Sequence, residues 1–271
     1  MIKQILPKTL QTYTIAFICS MACFDVFAAN IASLNQQTQN PVAALTSVPF
    51  QNNWTFKVGP EKRTQYVMNL QPVIPKQINS KWNLITRMVM PVTSQPRMAA
   101  NVPGDFGIGN TGFSFFLSPI NNSDFIWGIG PVISVPATSR NLGSSRFGLG
   151  PTIVALVQKN EWTIGVLANQ IWTIGGTDAP NGINNLFVQP FISRSFWQSW
   201  NFAFTSETNV NWNASGVQKW TVPIDFVIVK LFTIGNQVMT LGAGPRYFPL
   251  FAGTHSKWGA RVVLSFLFPT K

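Results

Sequence analysis

The sequence predicts an all-β fold: a closed antiparallel transmembrane β-barrel of 12 strands, both termini on the periplasmic side. Three observations predict it. The run 258–268 alternates almost without error, with Trp258, Ala260, Val262, Leu264, Phe266 and Phe268 on one face and Gly259, Arg261, Val263, Ser265 and Leu267 on the other. Successive strand side chains point to opposite faces, so one face is apolar and the other carries a charge. A tilted strand crosses a hydrocarbon layer in roughly nine to eleven residues, which this run supplies. Charged residues are only 10% of the chain, against about 25% in an ordinary soluble domain. Beyond the N-terminus no stretch approaches the roughly eighteen apolar residues that a spanning helix needs. A chain poor in charge, rich in aromatics and free of long apolar runs can still cross a membrane as a barrel.

Residues 1–28 read as a signal peptide. Lys3 and Lys8 give a basic start, residues 15–24 an apolar stretch, and Val26, Phe27 and Ala28 a cleavage pattern ending at Ala28. Both cysteines, Cys19 and Cys23, fall inside it. The mature chain then has no disulfide, thiol nucleophile or thiolate metal site. Losing two lysines and Asp25 takes the net charge from +11 to +10. The basic residues form no run, so nucleic acid is excluded as a partner.

Period-two alternation gives twelve strands, near 54–59, 64–74, 82–91, 106–118, 125–135, 146–158, 161–174, 184–195, 198–211, 217–232, 236–249 and 257–268. Their connections alternate in length. Those at 93–105, 138–145, 175–182, 211–216 and 250–256 are longer and polar, while 121–124, 159–161 and 235–237 are tight. Short periplasmic turns and longer outer loops are the pattern of outer-membrane barrels, and 60–63 is a short exception. Trp54, Trp82, Trp162, Trp172, Trp200, Trp212, Trp220 and Trp258 stand at strand ends, where interfacial girdles form. Residues 51–271 are thus the barrel, and 29–50 a periplasmic N-terminal segment or plug. Within that segment Asn40 and Pro41 read as the start of a short helix.

With the apolar stripes facing lipid, Lys57, Arg87, Arg146, Asn169, Glu207, Lys219, Asp225, Arg246 and Arg261 line the lumen, with Gln189, Asn201 and Asn209. Arg194 and Lys230 fall on the lipid side near periplasmic ends, where long side chains snorkel. Basic groups outnumber acidic ones in the lumen, which favours anions if water fills it. If instead they pair across a packed interior, the barrel is closed. Pro72, Pro131, Pro151, Pro190, Pro223 and Pro245 lie within strands, where proline removes a ladder donor. Three of them end a repeated pattern, Gly128-Ile129-Gly130-Pro131, Gly148-Leu149-Gly150-Pro151 and Gly242-Ala243-Gly244-Pro245. These read as bulges or kinks, or equally as strand ends beside turns.

Other motifs fail on context. Gly107, Gly109 and Gly112 have dinucleotide-fingerprint spacing, but strand rather than helix follows. The apolar phase changes near Asn110, which suggests a bulge. The single His255 lies in an outer loop beside Thr254 and Ser256; a histidine–serine pair would make a nucleophile, a solvated loop histidine would not. Too few ligand-type residues cluster for a metal, and no cofactor is expected.

Asn40-Pro41-Val42-Ala43, Ser47-Val48-Pro49-Phe50-Gln51-Asn52-Asn53, Thr64-Gln65-Tyr66-Val67, Gln71-Pro72-Val73-Ile74-Pro75, Trp82-Asn83-Leu84-Ile85-Thr86-Arg87, Trp127-Gly128-Ile129-Gly130-Pro131, Leu167-Ala168-Asn169-Gln170-Ile171-Trp172, Gln189-Pro190-Phe191, Trp220-Thr221-Val222-Pro223 and Leu267-Phe268-Pro269 resemble segments of one bacterial family. It is known by association with phenol meta-cleavage pathways, labelled as outer-membrane transporters and often mislabelled neuromedin U. The resemblance implies a Gram-negative outer-membrane barrel passing small aromatic or hydrophobic solutes. Its partners would be the lipid bilayer, lipopolysaccharide and the barrel-assembly machinery. The ending departs from many barrels, since Pro269, Thr270 and Lys271 follow Phe268. Three readings follow: a passive channel without chemistry, a plugged non-conducting scaffold or surface binder, and an outer-membrane lipid enzyme.

Overall fold

The computed structural model describes residues 31–99, 101–121, 123–139, 141–174, 182–252 and 255–269. The signal-peptide assignment, most of the loop at 175–182 and Thr254 lie outside them. Fifteen strand segments form one antiparallel sheet. They are β1 Thr46–Val58, β2 Arg63–Leu70, β3 Val73–Gln77, β4 Trp82–Gln95, β5 Asp105–Ile108, β6 Thr111–Pro119, β7 Phe125–Val135, β8 Gly148–Lys159, β9 Trp162–Thr173, β10 Asn184–Phe196, β11 Trp200–Thr205, β12 Thr208–Asn211, β13 Trp220–Ile234, β14 Gln237–Leu250 and β15 Trp258–Phe268. The segments β2 and β3, β5 and β6, and β11 and β12 are halves of broken strands, so the wall has twelve crossings. It closes where β1 meets β15, in register from Thr46 opposite Phe268 to Thr55 opposite Gly259. Closure leaves no free edge, which a wall facing lipid requires.

Outward residues alternate with inward ones as the sequence predicts. Leu149, Ile153 and Val157 on β8 and Ile164 and Val166 on β9 are exposed apolar side chains. Thr152, Val154, Leu156, Thr163 and Leu167 between them are buried inside. Trp162, Trp172 and Trp258 are exposed at strand ends, as interfacial anchors. Arg194 lies 5.3 Å over the Trp162 ring and pairs with Glu161 at 3.1 Å, and Lys230 lies 5.1 Å over Trp200. Both cations therefore sit among interfacial aromatics.

The breaks have readable causes. Pro72 separates β2 from β3, and the chain recovers by bonding Gln71 N to Pro49 O. Pro190 on β10 offers no donor to the strand opposite it, and there β11 and β12 part at Ser206 and Glu207, with Ser206 N donating to Pro190 O. Between β5 and β6 one extra residue accumulates against β4, the bulge expected near Asn110. Asn110 holds it by donating to the carbonyls of Val135 and Ser144 and accepting from Ser144 N.

The Gly-x-Gly-Pro patterns are part of the sheet, inside β7 and β14 and at the start of β8. Pro131 and Pro151 are directly opposite each other across β7 and β8, in unbroken register. Each motif proline lacks the N–H that would bond the neighbouring strand. At Gly130, Gly150 and Gly244, the residues just before those prolines, a Cβ would overlap the carbonyl oxygens of Phe115, Gln170 and Phe226 respectively. These are the carbonyls that face the missing donors, and glycine gives them room.

Two expectations are corrected. The first strand begins at Thr46, not near 54. Its amide- and hydroxyl-bearing face, Ser47, Gln51, Asn53 and Thr55, turns inward, so it lacks the usual apolar signal. Asn40 and Pro41 do not start a helix. The helical residues are 31–37. Asn40 instead accepts from Val42 N at 2.9 Å through its side chain, forming a turn.

Candidate functional site: the barrel interior

The N-terminal segment runs inside the barrel. Its helical residues dock against a tight turn and the start of β11. Asn35, fully buried, donates to Trp200 O at 3.0 Å and accepts from Asn201 Nδ2 at 2.8 Å. Gln36 donates to Asn160 O at 2.9 Å and accepts, through its carbonyl, from Gln158 at 3.0 Å. The Asn40 turn then sends the chain up the lumen. Val42 packs with Ile85, Phe116, Val154, Leu156 and Leu167 from the wall of β4 to β9. Ala43 and Leu45 pack with Leu231 and Leu267 from the opposite wall. Apolar inward residues on both walls thus have an apolar partner in the segment.

Above it lies a charged cluster. Asp225, Arg246 and Arg261 come from β13, β14 and β15, and Glu207 from the break between β11 and β12. Arg246 Nε is 2.6 Å from Asp225 Oδ1, and Arg261 Nη2 is 2.6 Å from Glu207 Oε2. The pairs are crossed, with Arg261 Nη1 3.4 Å from Asp225 Oδ2 and Arg246 Nη2 3.9 Å from Glu207 Oε2. Arg261 Nε also donates to Asn53 Oδ1 at 2.8 Å. Register makes the space. Arg246 faces Gly259 on β15, and Arg261 faces Gly244 on β14, so each guanidinium lies beside a residue without a side chain. Asp225 has no exposed side-chain surface, and Arg261 only 3%. Charges buried this deeply need their partners.

The cluster separates two cavities. The one on the N-terminal segment's side has a volume of about 260 Å3 and is bordered by Leu45, Gln71, Arg87, Phe191, Glu207 and Arg261, among others. The other is about 150 Å3 and is bordered by Asn53, Gln65, Asn209, Glu207, Arg246 and Phe248, among others. Glu207 borders both.

Of the residues expected to line the lumen, Arg87, Glu207, Asp225, Arg246 and Arg261 come together here. Asn169 lies on the inward register of β9 with Thr163 and Leu167, opposite Thr152. Lys57 is exposed in a bulge of β1 with a φ of 58°. Arg146 lies in the loop before β8, where its N–H donates to Ser144 Oγ. Lys219 ends a 3-10 turn at Gly216–Lys219, with its ammonium 5.8 Å over Trp212. Sequence reasoning passed over Asn35, Asn53 and Gln71, uncharged residues whose amides complete the cluster and the dock. A run of amides such as Gln51-Asn52-Asn53 inside a strand is the signal that could have marked them. His255 is exposed beside a surface pocket with Phe251 and Lys257, and Ser256 donates its hydroxyl to Phe56 O. Among the described residues no group of His, Cys, Asp and Glu could hold a metal.

No protein-family model matches the chain, and no curated protein matches it. Among solved structures it is similar to the COG4313 outer membrane channel from Pseudomonas putida F1, with a TM-score of 0.56 and 15% identity over 83% of this chain and 94% of that one. It is also similar to outer membrane phospholipase A from Escherichia coli, at a TM-score of 0.48 and 11% identity over 83% of this chain and 96% of that one. A match to KdgM porin in complex with disordered oligogalacturonate has a TM-score of 0.46 and 8% identity over 82% of this chain and 99% of that one. The first of these shares the fold. A closed twelve-strand barrel with an outward apolar band and interfacial tryptophans is a protein of the bacterial outer membrane.

Proposed function

We propose that the protein is an outer-membrane channel for small solutes, occluded at rest by its own N-terminal segment. The observation that carries this reading is the stacking along the barrel axis. A docked segment, an apolar-walled cavity, a charged constriction and a second cavity follow one another, all on inward faces. A barrel built only as a scaffold has no need of cavities on both sides of a charge cluster. The segment is held by side-chain hydrogen bonds and a few small apolar residues, contacts that can be broken without unfolding the wall. The apolar lining suits solutes with an apolar body, in line with the aromatic or hydrophobic compounds that the family resemblance implies. In this reading the protein does no chemistry.

The competing reading is the non-conducting scaffold, and the paired arginines favour it. Planar-bilayer recordings separate the two. The full mature chain should conduct weakly, and a variant lacking residues 29–45 should conduct at least severalfold more. If neither protein conducts and neither passes solute in liposome swelling, the scaffold reading stands and the channel reading falls.

A further inference from the structure

Among the described residues, the barrel interior carries one more cation than its two carboxylates hold in close ion pairs. Arg246 and Arg261 share Asp225 and Glu207 in the crossed pairs. Arg87, on β4, forms no ion pair among the described residues. Its one hydrogen-bond partner among them is the Gln71 amide, with Nη2 2.8 Å from Oε1. A guanidinium has five N–H donors in a planar fork, shaped to hold a carboxylate with two parallel bonds. Glu207 acts on Arg87 electrostatically across the cavity but is already shared by Arg246 and Arg261, and guanidinium donors left unfilled inside a barrel are costly unless water or a ligand takes them.

Arg87 and Gln71 border the larger cavity, about 260 Å3. Apart from them, much of its wall is apolar, with Val73, Phe191, Val227 and Val229 contributing. Ligand sites of this kind are concave, largely apolar and marked by a few polar groups that fix orientation. The volume is just below the usual range of roughly 300–1,000 Å3, so the occupant is about the size of one ring. The charge sets its valence. The surplus is a single positive unit, and Glu207 borders the same cavity, so a dianion would be repelled where a monoanion would not.

We propose that this cavity binds a small monocarboxylate with an apolar body, its carboxylate forked by Arg87 and its body against Val73, Phe191, Val227 and Val229. A neutral molecule of the same shape leaves the arginine unsatisfied. A bare carboxylate leaves the apolar wall wet. The physiological meaning of such a site rests on the channel reading, but the binding does not require conduction.

Titration calorimetry on the full mature chain in detergent tests it, with benzoate, the isosteric neutral benzamide, and acetate as probes. Benzoate should bind at least tenfold more tightly than either of the others. Arg87→Gln should weaken benzoate at least tenfold and leave benzamide unchanged, and Arg87→Lys should recover part of the loss. Heat-dependent migration on gels checks that each variant is folded. If Arg87→Gln does not fold, Val229→Phe, which fills the cavity and leaves the arginine in place, should weaken benzoate by a similar factor. Benzoate and benzamide binding alike, benzoate failing to bind the folded wild type, or folded Arg87→Gln binding benzoate as the wild type does would each overturn the assignment. Conductance without benzoate selectivity removes this site and leaves the channel reading intact. Benzoate binding without conductance does the reverse.

Discussion

Arg261 is held on three of its nitrogens. Nε donates to Asn53 Oδ1, Nη1 to Glu207 Oε1 and Nη2 to Glu207 Oε2. A forked arginine–carboxylate contact is among the stronger polar interactions. Removing one partner of such a buried pair costs about 3–5 kcal/mol, because the other charge is left uncompensated. Arg261→Met should therefore destabilise the barrel by several kcal/mol in urea unfolding from lipid vesicles. Glu207→Gln combined with Arg261→Met should cost less than the sum of the two, with a coupling of roughly 1–3 kcal/mol. Additive costs would mean that water screens the pair. At this scale the sequence was legible only in part. Strand parity alone puts Arg87, Asp225, Arg246 and Arg261 inside, since a charge on the lipid face is expensive. Parity is blind to pairing. Nothing local says that Arg246 takes Asp225 while Arg87 is left with an amide, because those contacts depend on register between distant strands.

The elements were more legible, and where they were not, the cause lies in lumen chemistry and proline. β7 to β10 and β13 to β15 keep an apolar outward face, so alternation locates them to within a few residues. Alternation places the start of β1 eight residues late, because its inward residues are polar and carry no apolar stripe, although the strand runs unbroken through Pro49. Of the two readings of Gly-x-Gly-Pro, the strand-end one fits β8, which begins at Gly148, while in β7 and β14 the pattern lies inside the strand, and in all three a glycine leaves room for a carbonyl of the neighbouring strand. This gives a contrast between glycines. Gly244→Ala places a Cβ on the Phe226 carbonyl, and Gly112→Ala meets nothing within 4 Å. Gly244→Ala should lower the yield of heat-modifiable barrel severalfold, and Gly112→Ala should match the wild type. Gly244 also faces Arg261 across the ladder, so its replacement should loosen the charge cluster as well. Equal yields from the two variants would refute the close approach.

At the scale of the whole molecule, the barrel wall and the N-terminal segment answer to different forces. The wall is held by a closed ladder in which each strand bonds two neighbours, and nothing short of global unfolding releases it. The segment is held by the Asn35–Asn201 bond, the Gln36 and Gln158 bonds at the tight turn, and the packing of Val42, Ala43 and Leu45. Each hydrogen bond contributes only about 0.5–1.5 kcal/mol net, so the segment belongs to the low-stability end of the structure, where opening elements are found. Both cysteines, Cys19 and Cys23, precede residue 29, so a chain that begins at residue 29 has none and lets this be tested directly. Asn35→Cys with Asn201→Cys puts two thiols where the bonded amides stand. Bridging them with a short bifunctional thiol reagent fixes the segment to β11 without touching the wall. Solute flux through liposomes should fall to the protein-free level after bridging. It should return when a cleavable bridge is reduced, and each single-cysteine variant should ignore the reagent. Flux that persists through a completed bridge would mean that solute passes with the segment in place, and that the occluding element lies elsewhere, most directly in the arginine–carboxylate cluster above it.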